Sequence, residues 1–220
     1  MEHLGYGKYI TDNINRLPFG VPIYTNEIAN NLVREFNIDI TQAKKIANVN
    51  LKRIADHQDL ERFQKGVYYK AQHTVFGKTK LNPISVAIKT YVNPNNEIIG
   101  YETGPSFLNK IGLTTQIAKN KYFATNLYQR NGSRVDKNLN VAIRKPPVNV
   151  TADNYKYLQL LDAIENKDNT VIDAAHPEKV IFNYIKKSNL DFMKLIVLAR
   201  KYYKKEVLLL VADIAAIEMQ

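Results

Sequence analysis

Lys44, Lys45, Asn48, Val49, Lys52 and Arg53 recur at the three- and four-residue spacing that gathers side chains on one side of a helix. Four cations on such a face suit phosphate oxygens, which fix affinity and register but carry little sequence choice. The amide of Asn48 matches the donor and acceptor pair on the edge of adenine, and the methyls of Val49 match the thymine methyl. The opposite face carries Ala43, Ile46, Ala47, Leu51 and Ile54, an apolar stripe that must be covered by the rest of the fold. Thr41 is expected to cap this helix through its hydroxyl, with Gln42 beside it at the start of the outer face. Taken alone, a basic amphipathic helix is more often a solvated face than a reading device.

The flanking elements sharpen the choice. After Asp56–Asp59 the apolar positions Leu60, Phe63, Val67 and Tyr69 change from helical to alternating spacing around Lys65-Gly66, which predicts a hairpin carrying Arg62, Lys65 and Lys70. Before it, residues 4–16 predict a helix with Tyr9, Ile10 and Ile14 inward, stopped at Leu17-Pro18-Phe19-Gly20. Val21–Tyr24 reads as a short extended link that pairs with the hairpin. Thr25 is expected to cap a second helix with Ile28, Leu32, Val33 and Phe36 buried. Helix, link, helix, turn, helix and hairpin is the order of a winged helix-turn-helix, in which the last helix enters the major groove and the wing touches the backbone.

No set of residues assembles an enzyme. The histidines at 3, 57, 73 and 176 have no second ligand at metal spacing, and there is no cysteine. His57 beside Asp56 and Asp59 reads as a capping or surface group, and Glu178 after His176-Pro177 suits a helix N-terminus. Ser106 lacks the Gly-x-Ser-x-Gly frame of a nucleophile elbow. Asp162, Asp173, Glu165 and Asp168 are expected to be solvated charges around a helix-to-helix turn. Phe76-Gly77-Lys78-Thr79-Lys80 resembles part of a phosphate loop, but Gln72 stands where the first glycine belongs. The glycines at 100, 104 and 112 lack dinucleotide spacing and fit tight packing of helix on sheet. The expectation is a non-enzyme with no cofactor and no metal.

Composition sets the bounds. The chain has 220 residues, 45% of them hydrophobic, and a net charge of +10. Residues 1–80 hold 12 basic against 8 acidic side chains, residues 81–150 hold 9 against 3, and residues 151–220 hold 10 of each. The surface suited to a polyanion therefore belongs to the first two thirds, and residues 41–80, with 9 basic against 3 acidic, are its focus. No apolar run reaches the eighteen or so residues of a membrane span, and Met1-Glu2-His3 does not open a signal peptide. The expectation is a soluble, cytoplasmic protein.

Residues 71–82 break the pattern as a polar linker. Beyond them Pro83–Tyr91 predicts a helix or a strand, Pro105–Lys110 a short helix, and residues 121–126 and 139–143 successive strands around the turn 130–133, with Lys145-Pro146-Pro147 closing the sheet edge. Helices are predicted over 154–164, 177–187, 191–203 and 205–217. The expected fold is α+β: a winged helix-turn-helix domain at 1–75 and a mixed α/β domain at 76–220 with a helical C-terminal half.

From LKRIADHQDLERFQKGVYYK through GYETGPSFLNKIGLTTQI to LQLLDAIEN, VIDAA and LARKYY, the order of segments resembles AbiEi-type antitoxins of bacterial type IV toxin–antitoxin systems, over about residues 9–214. The resemblance implies a repressor that binds inverted repeats of double-stranded DNA in its own promoter. It also implies countering a co-encoded nucleotidyltransferase-like toxin in abortive infection, a form of phage defence. By position it puts the DNA role on the outer face of residues 41–53 and on the wing at 62–70. One winged helix reads a short half-site, so a monomer in solution binding pairwise on DNA is expected. The rival reading is an interaction or RNA-binding module that uses the winged helix and the basic middle segment as a platform.

Overall fold

A computed structural model describes residues 5–57, 60–167 and 170–217. Leu4, His3, Asp59 and Asp168, which figure in the readings above, lie outside the described residues. The protein is a mixture of α and β in two compact units, residues 1–86 and 87–220, and the division falls within one helix.

In the first unit, α1 (Tyr6–Arg16) buries Ile10 and Ile14 and ends before Pro18, which cannot supply the next helical N–H. Strand β1 (Ile23–Tyr24) leads into α2 (Thr25–Phe36), which buries Ile28, Ala29 and Leu32 and stops at Asn37 in the left-handed region. Helix α3 (Ile40–His57) buries Ala43, Ala47, Leu51 and Ile54. Its small residues at 43 and 47 let α2 lie close against it in one core.

Strands β2 (Leu60–Gln64) and β3 (Val67–Lys70) form an antiparallel hairpin, and β1 pairs with β3 through Ile23 opposite Tyr68, so the sheet order is β1-β3-β2. Gly66 makes the turn at φ +77°, where a side chain would be strained.

Thr25 does not cap α2. It is the first residue of the helix, its N–H donates to the Gly66 carbonyl at 3.0 Å, and its buried hydroxyl has no hydrogen-bond partner. The link 71–82 is also more ordered than a polar composition suggests: β4 (His73–Thr74) and β5 (Gly77–Lys78) pair as a small exposed hairpin.

The second unit holds a four-stranded sheet of order β6-β7-β9-β8, made of β6 (Gly100–Thr103), β7 (Lys121–Thr125), β8 (Ser133–Asp136) and β9 (Val141–Arg144). Strands β7 and β9 run parallel, because the chain goes out to the edge as β8 and returns between β7 and β8. The prolines at 146 and 147 therefore follow an interior strand rather than close an edge. Within this sheet, β6 and β8 are the two strands not anticipated. β8 is an edge strand whose Ser133, Arg134 and Val135 are exposed, so it has no buried apolar alternation to read.

β6 begins at Gly100, where a Cβ would stand 2.1 Å from the Tyr91 carbonyl oxygen and 2.6 Å from that of Ala124. Only glycine fits there, and the glycine conceals a strand.

Helix α4 (Pro83–Tyr91) contains the division between the units, and α5 (Pro105–Ile111) follows β6. α6 (Tyr155–Glu165), α7 (Pro177–Lys187), α8 (Phe192–Tyr202) and α9 (Lys205–Ile217) form the C-terminal half. Their core gathers Leu160, Leu161, Ile181, Ile185, Leu195, Val207 and Val211 with Phe107 and Leu108 of α5. Asp191 caps α8 by accepting from the Lys194 N–H at 2.7 Å. Among the described residues no helix is long and apolar enough to cross a membrane.

Candidate nucleic-acid interface

Helix α3 is set by its N-terminus. Asp39, not Thr41, is the cap: its Oδ1 accepts from the N–H groups of Thr41 at 2.6 Å and Gln42 at 3.2 Å. The helix begins two residues earlier than a Thr41 cap requires, so Thr41 and Gln42 belong to the first turn, with their side chains exposed. The two N–H bonds hold the Asp39 carboxyl below its usual value, because they favour its charged form.

From that start, Lys44, Lys45, Asn48, Val49, Lys52 and Arg53 are all exposed, and Val49 keeps half its surface in solvent. Among the described residues none of these cations, nor Arg62 or Lys65, forms an ion pair. Asn48 donates one amide hydrogen back to the Lys44 carbonyl at 2.8 Å, which orients its side chain along the helix and leaves its carbonyl oxygen and second hydrogen to the outside.

The hairpin is joined to α3 by a shared core in which Leu60 and Tyr68 of the strands meet Leu51 and Ile54 of the helix. Arg62 is exposed on β2 and Lys65 at the turn, and the register shifts between Arg62 and Gln64. A bulge of this kind twists a strand locally and re-aims its side chains.

Lys70 belongs elsewhere. Its ammonium donates to the carbonyls of Asn15 at 3.0 Å and Leu17 at 2.9 Å and lies 4.8 Å from the Phe19 ring centroid. It satisfies orphan carbonyls at the end of α1 instead of joining the cations of the β2–β3 hairpin. Lys78 is likewise engaged, donating to Glu61 of β2 at 2.6 Å.

The second unit holds a charge that periodicity alone does not reveal. Asp162 is not solvated: it is 1% exposed. Its Oδ2 accepts from Tyr101 at 2.7 Å, from Arg144 and, at 3.5 Å, from Thr103, while its Oδ1 accepts from Tyr203 at 3.1 Å. Burial pushes the Asp162 carboxyl up from its ordinary value, against the pull of the Arg144 guanidinium and the phenol donors. Burial, and then the adjacent carboxylate, push the Tyr101 phenol up as well. The cluster pins α6 to β6, β9 and the end of α8. A signal for it existed in Tyr157-Leu158-Gln159-Leu160-Leu161-Asp162-Ala163-Ile164, where apolar neighbours surround the acid on every side.

The remaining candidates stay apart. Asp173 is exposed and accepts from the N–H and hydroxyl of Thr115, which hold its carboxyl low. His57 ends α3 in solvent, and His176 precedes α7 without a side-chain capping bond. The Ser106 hydroxyl is buried and has no hydrogen-bond partner among the described residues. Among the described residues no three histidines or acids gather as a metal site would require.

Residues 24–192 match the family described as "Family of unknown function (DUF6088)". This span covers most of the chain, from the second residue of β1 to the first of α8, and the chain belongs to that family. No curated protein matches it.

Proposed function

We propose that this chain is a DNA-binding repressor of its own operon whose first unit is a winged helix-turn-helix, and that it serves as the antitoxin of a type IV toxin–antitoxin system in the bacterial cytoplasm. The observation that carries the reading is the outer face of α3: four cations with no ion-pair partner among the described residues, an asparagine and a half-exposed valine, on a helix sharing a core with the Arg62 and Lys65 hairpin. Cations left unpaired on one face contribute nothing to folding and are available to phosphates. Lys44, Lys45, Lys52, Arg53, Arg62 and Lys65 are the phosphate contacts in this reading. Thr41, Gln42, Asn48 and Val49 face base edges. The antitoxin half rests on the resemblance to AbiEi-type proteins and assigns no residue and no catalytic role.

The rival, a platform for RNA or protein built on the middle segment, is weakened by how that segment uses its charge. Arg144 is committed to Asp162, and Lys121 at 2.6 Å and Lys110 at 4.0 Å face Glu102.

The deciding measurement is fluorescence anisotropy of the full chain on its own upstream DNA against a scrambled duplex at two salt concentrations. A preference of at least about tenfold that survives added salt supports base reading. Equal binding and joint release would leave only a polyanion surface. For the antitoxin half, the gene immediately downstream should encode a nucleotidyltransferase-like protein, and co-expression of this chain should restore growth to cells making it.

A further inference from the structure

Val75 and Phe76 form the two-residue turn of the β4–β5 hairpin and are 94% and 98% exposed. Such turns ordinarily take Asn, Asp or Gly, for backbone reasons. Here two bulky apolar side chains stand in water and bury nothing of their own unit, so they add nothing to its stability.

The tip is nonetheless built firmly. The Thr74 hydroxyl accepts from the Phe76 N–H at 3.2 Å and donates to the Gly77 carbonyl at 2.9 Å. At the base, the Gln72 and Thr79 backbones are joined by two bonds of 2.9 Å, one through the Thr79 hydroxyl. Lys78 ties β5 to β2 through Glu61, so the tip is held beside the hairpin that carries Arg62 and Lys65. Residues 60–80 hold five basic side chains and one acid, and that acid is already paired with Lys78. The surroundings of the exposed phenyl ring thus favour a polyanion over an acid-poor apolar pocket.

We propose that Phe76, backed by Val75, is an aromatic wedge for the minor groove of duplex DNA, entering beside the site bound by α3 and partly unstacking one base step. This rests on the DNA-binding reading above. Apolar side chains that enter a minor groove open a base step and bend the duplex, and flexible pyrimidine–purine steps yield most easily. The basic side chains of the hairpin take the phosphates on either side of the opened step.

The chain has no tryptophan, so Phe76→Trp creates a single indole at the tip, excited selectively at wavelengths where the fourteen tyrosines do not absorb. The probe is a duplex of about 30 base pairs from the region upstream of the gene, the length of a bendable site, labelled at both ends for energy transfer.

The wedge predicts that this duplex quenches the Phe76→Trp emission. Wild-type protein should bring the duplex ends closer, and Phe76→Ala should weaken binding at least about tenfold, as one lost stacking contact does, and abolish the bend. Phe76→Leu, still an apolar wedge, should keep most of the bend. All three variants should melt with the wild type, since the side chain buries nothing.

If wild type binds the duplex while Phe76→Ala binds within twofold of it and the tryptophan emission stays constant, the wedge is overturned and the DNA-binding reading stands. If wild type does not bind the duplex, both fall. Equal quenching by single-stranded DNA or RNA of the same sequence overturns the wedge in favour of stacking on unpaired bases.

Discussion

The cations of α3 and the ion pair of Asp162 with Arg144 use charge in opposite ways. On α3, four basic side chains stand in solvent with no counter-ion among the described residues. In the second unit one carboxylate is fully enclosed and takes bonds from Tyr101, Arg144 and Tyr203, with Thr103 at the limit of reach. Burying a charge is tolerable only when it is paired and hydrogen-bonded, so the second arrangement belongs to architecture. The first costs little to hold and returns nothing to the fold, which leaves it open to solvent. Charge count does not separate the two cases; accessibility and pairing do.

Of the two arrangements, the enclosed charge of Asp162 should be the more costly to remove. Asp162→Ala leaves the Arg144 guanidinium without its counter-ion and the Tyr101 and Thr103 hydroxyls without this acceptor, while Tyr203 keeps the Leu158 carbonyl at 3.2 Å, and should destabilise the chain by about 3 kcal/mol or more. A urea titration followed by circular dichroism measures it, and a change below about 1 kcal/mol would show the cluster to be incidental. Asp162→Asn keeps the shape and some of the bonds and should fall between alanine and wild type.

The α3 face should behave in the reverse manner. Lys45→Glu with Lys52→Glu should lower affinity for upstream DNA by about a hundredfold and flatten its salt dependence by about two phosphate contacts, because each neutralised phosphate contributes one counter-ion term to the slope. The same variant should unfold within about 0.5 kcal/mol of wild type, as exposed substitutions do. Retained DNA affinity would remove α3 as the reading helix, whereas a large loss of stability would mean that the two lysines serve the fold after all.

Much of this was legible in local pattern, and what was missed shares a physical cause. α3, its apolar stripe and the Gly66 turn follow from spacing within a few residues, so residues 40–70 could be read directly. The cap of α3 was displaced by two residues, because Asp39 and Thr41 are both good caps and only the backbone decides which lies outside the first turn. β8 is short and exposed, and β6 opens on a glycine demanded by the backbone of Tyr91 and Ala124, a contact across sequence. Asp162 finds its partners at positions 101, 103, 144 and 203, which no window of sequence brings together. On α3 exposure could be read from periodicity, but neither the burial nor the pairing of Asp162 could.

Lys70 sharpens the contrast inside the first unit. By type and position it belongs with Lys65, but its ammonium is spent on the end of α1. Lys70→Met should therefore cost about 0.5–1 kcal/mol of stability, the size of a charge interaction at a helix terminus, and change DNA affinity less than twofold. Lys65→Met should do the opposite. Parallel urea and anisotropy titrations of both variants check the pair, and a larger affinity loss for Lys70→Met would place that residue with Lys65.

The smallest expected effect tests whether α3 owes its position to Asp39. The bonds from Thr41 and Gln42 lower the pKa of this carboxyl in the folded state. A depressed carboxyl contributes stability that is present above the unfolded value of about 3.9. That contribution is lost as the pH falls through the lower, folded value. Wild type should therefore be more resistant to urea than Asp39→Ala at pH 7, and the gap should close as the pH falls below the ordinary carboxylate range. A gap that persists there would mean that the side chain acts through contacts other than its charge. No gap at pH 7 would mean that α3 is held by its buried face alone and that the Asp39 bonds merely accompany it.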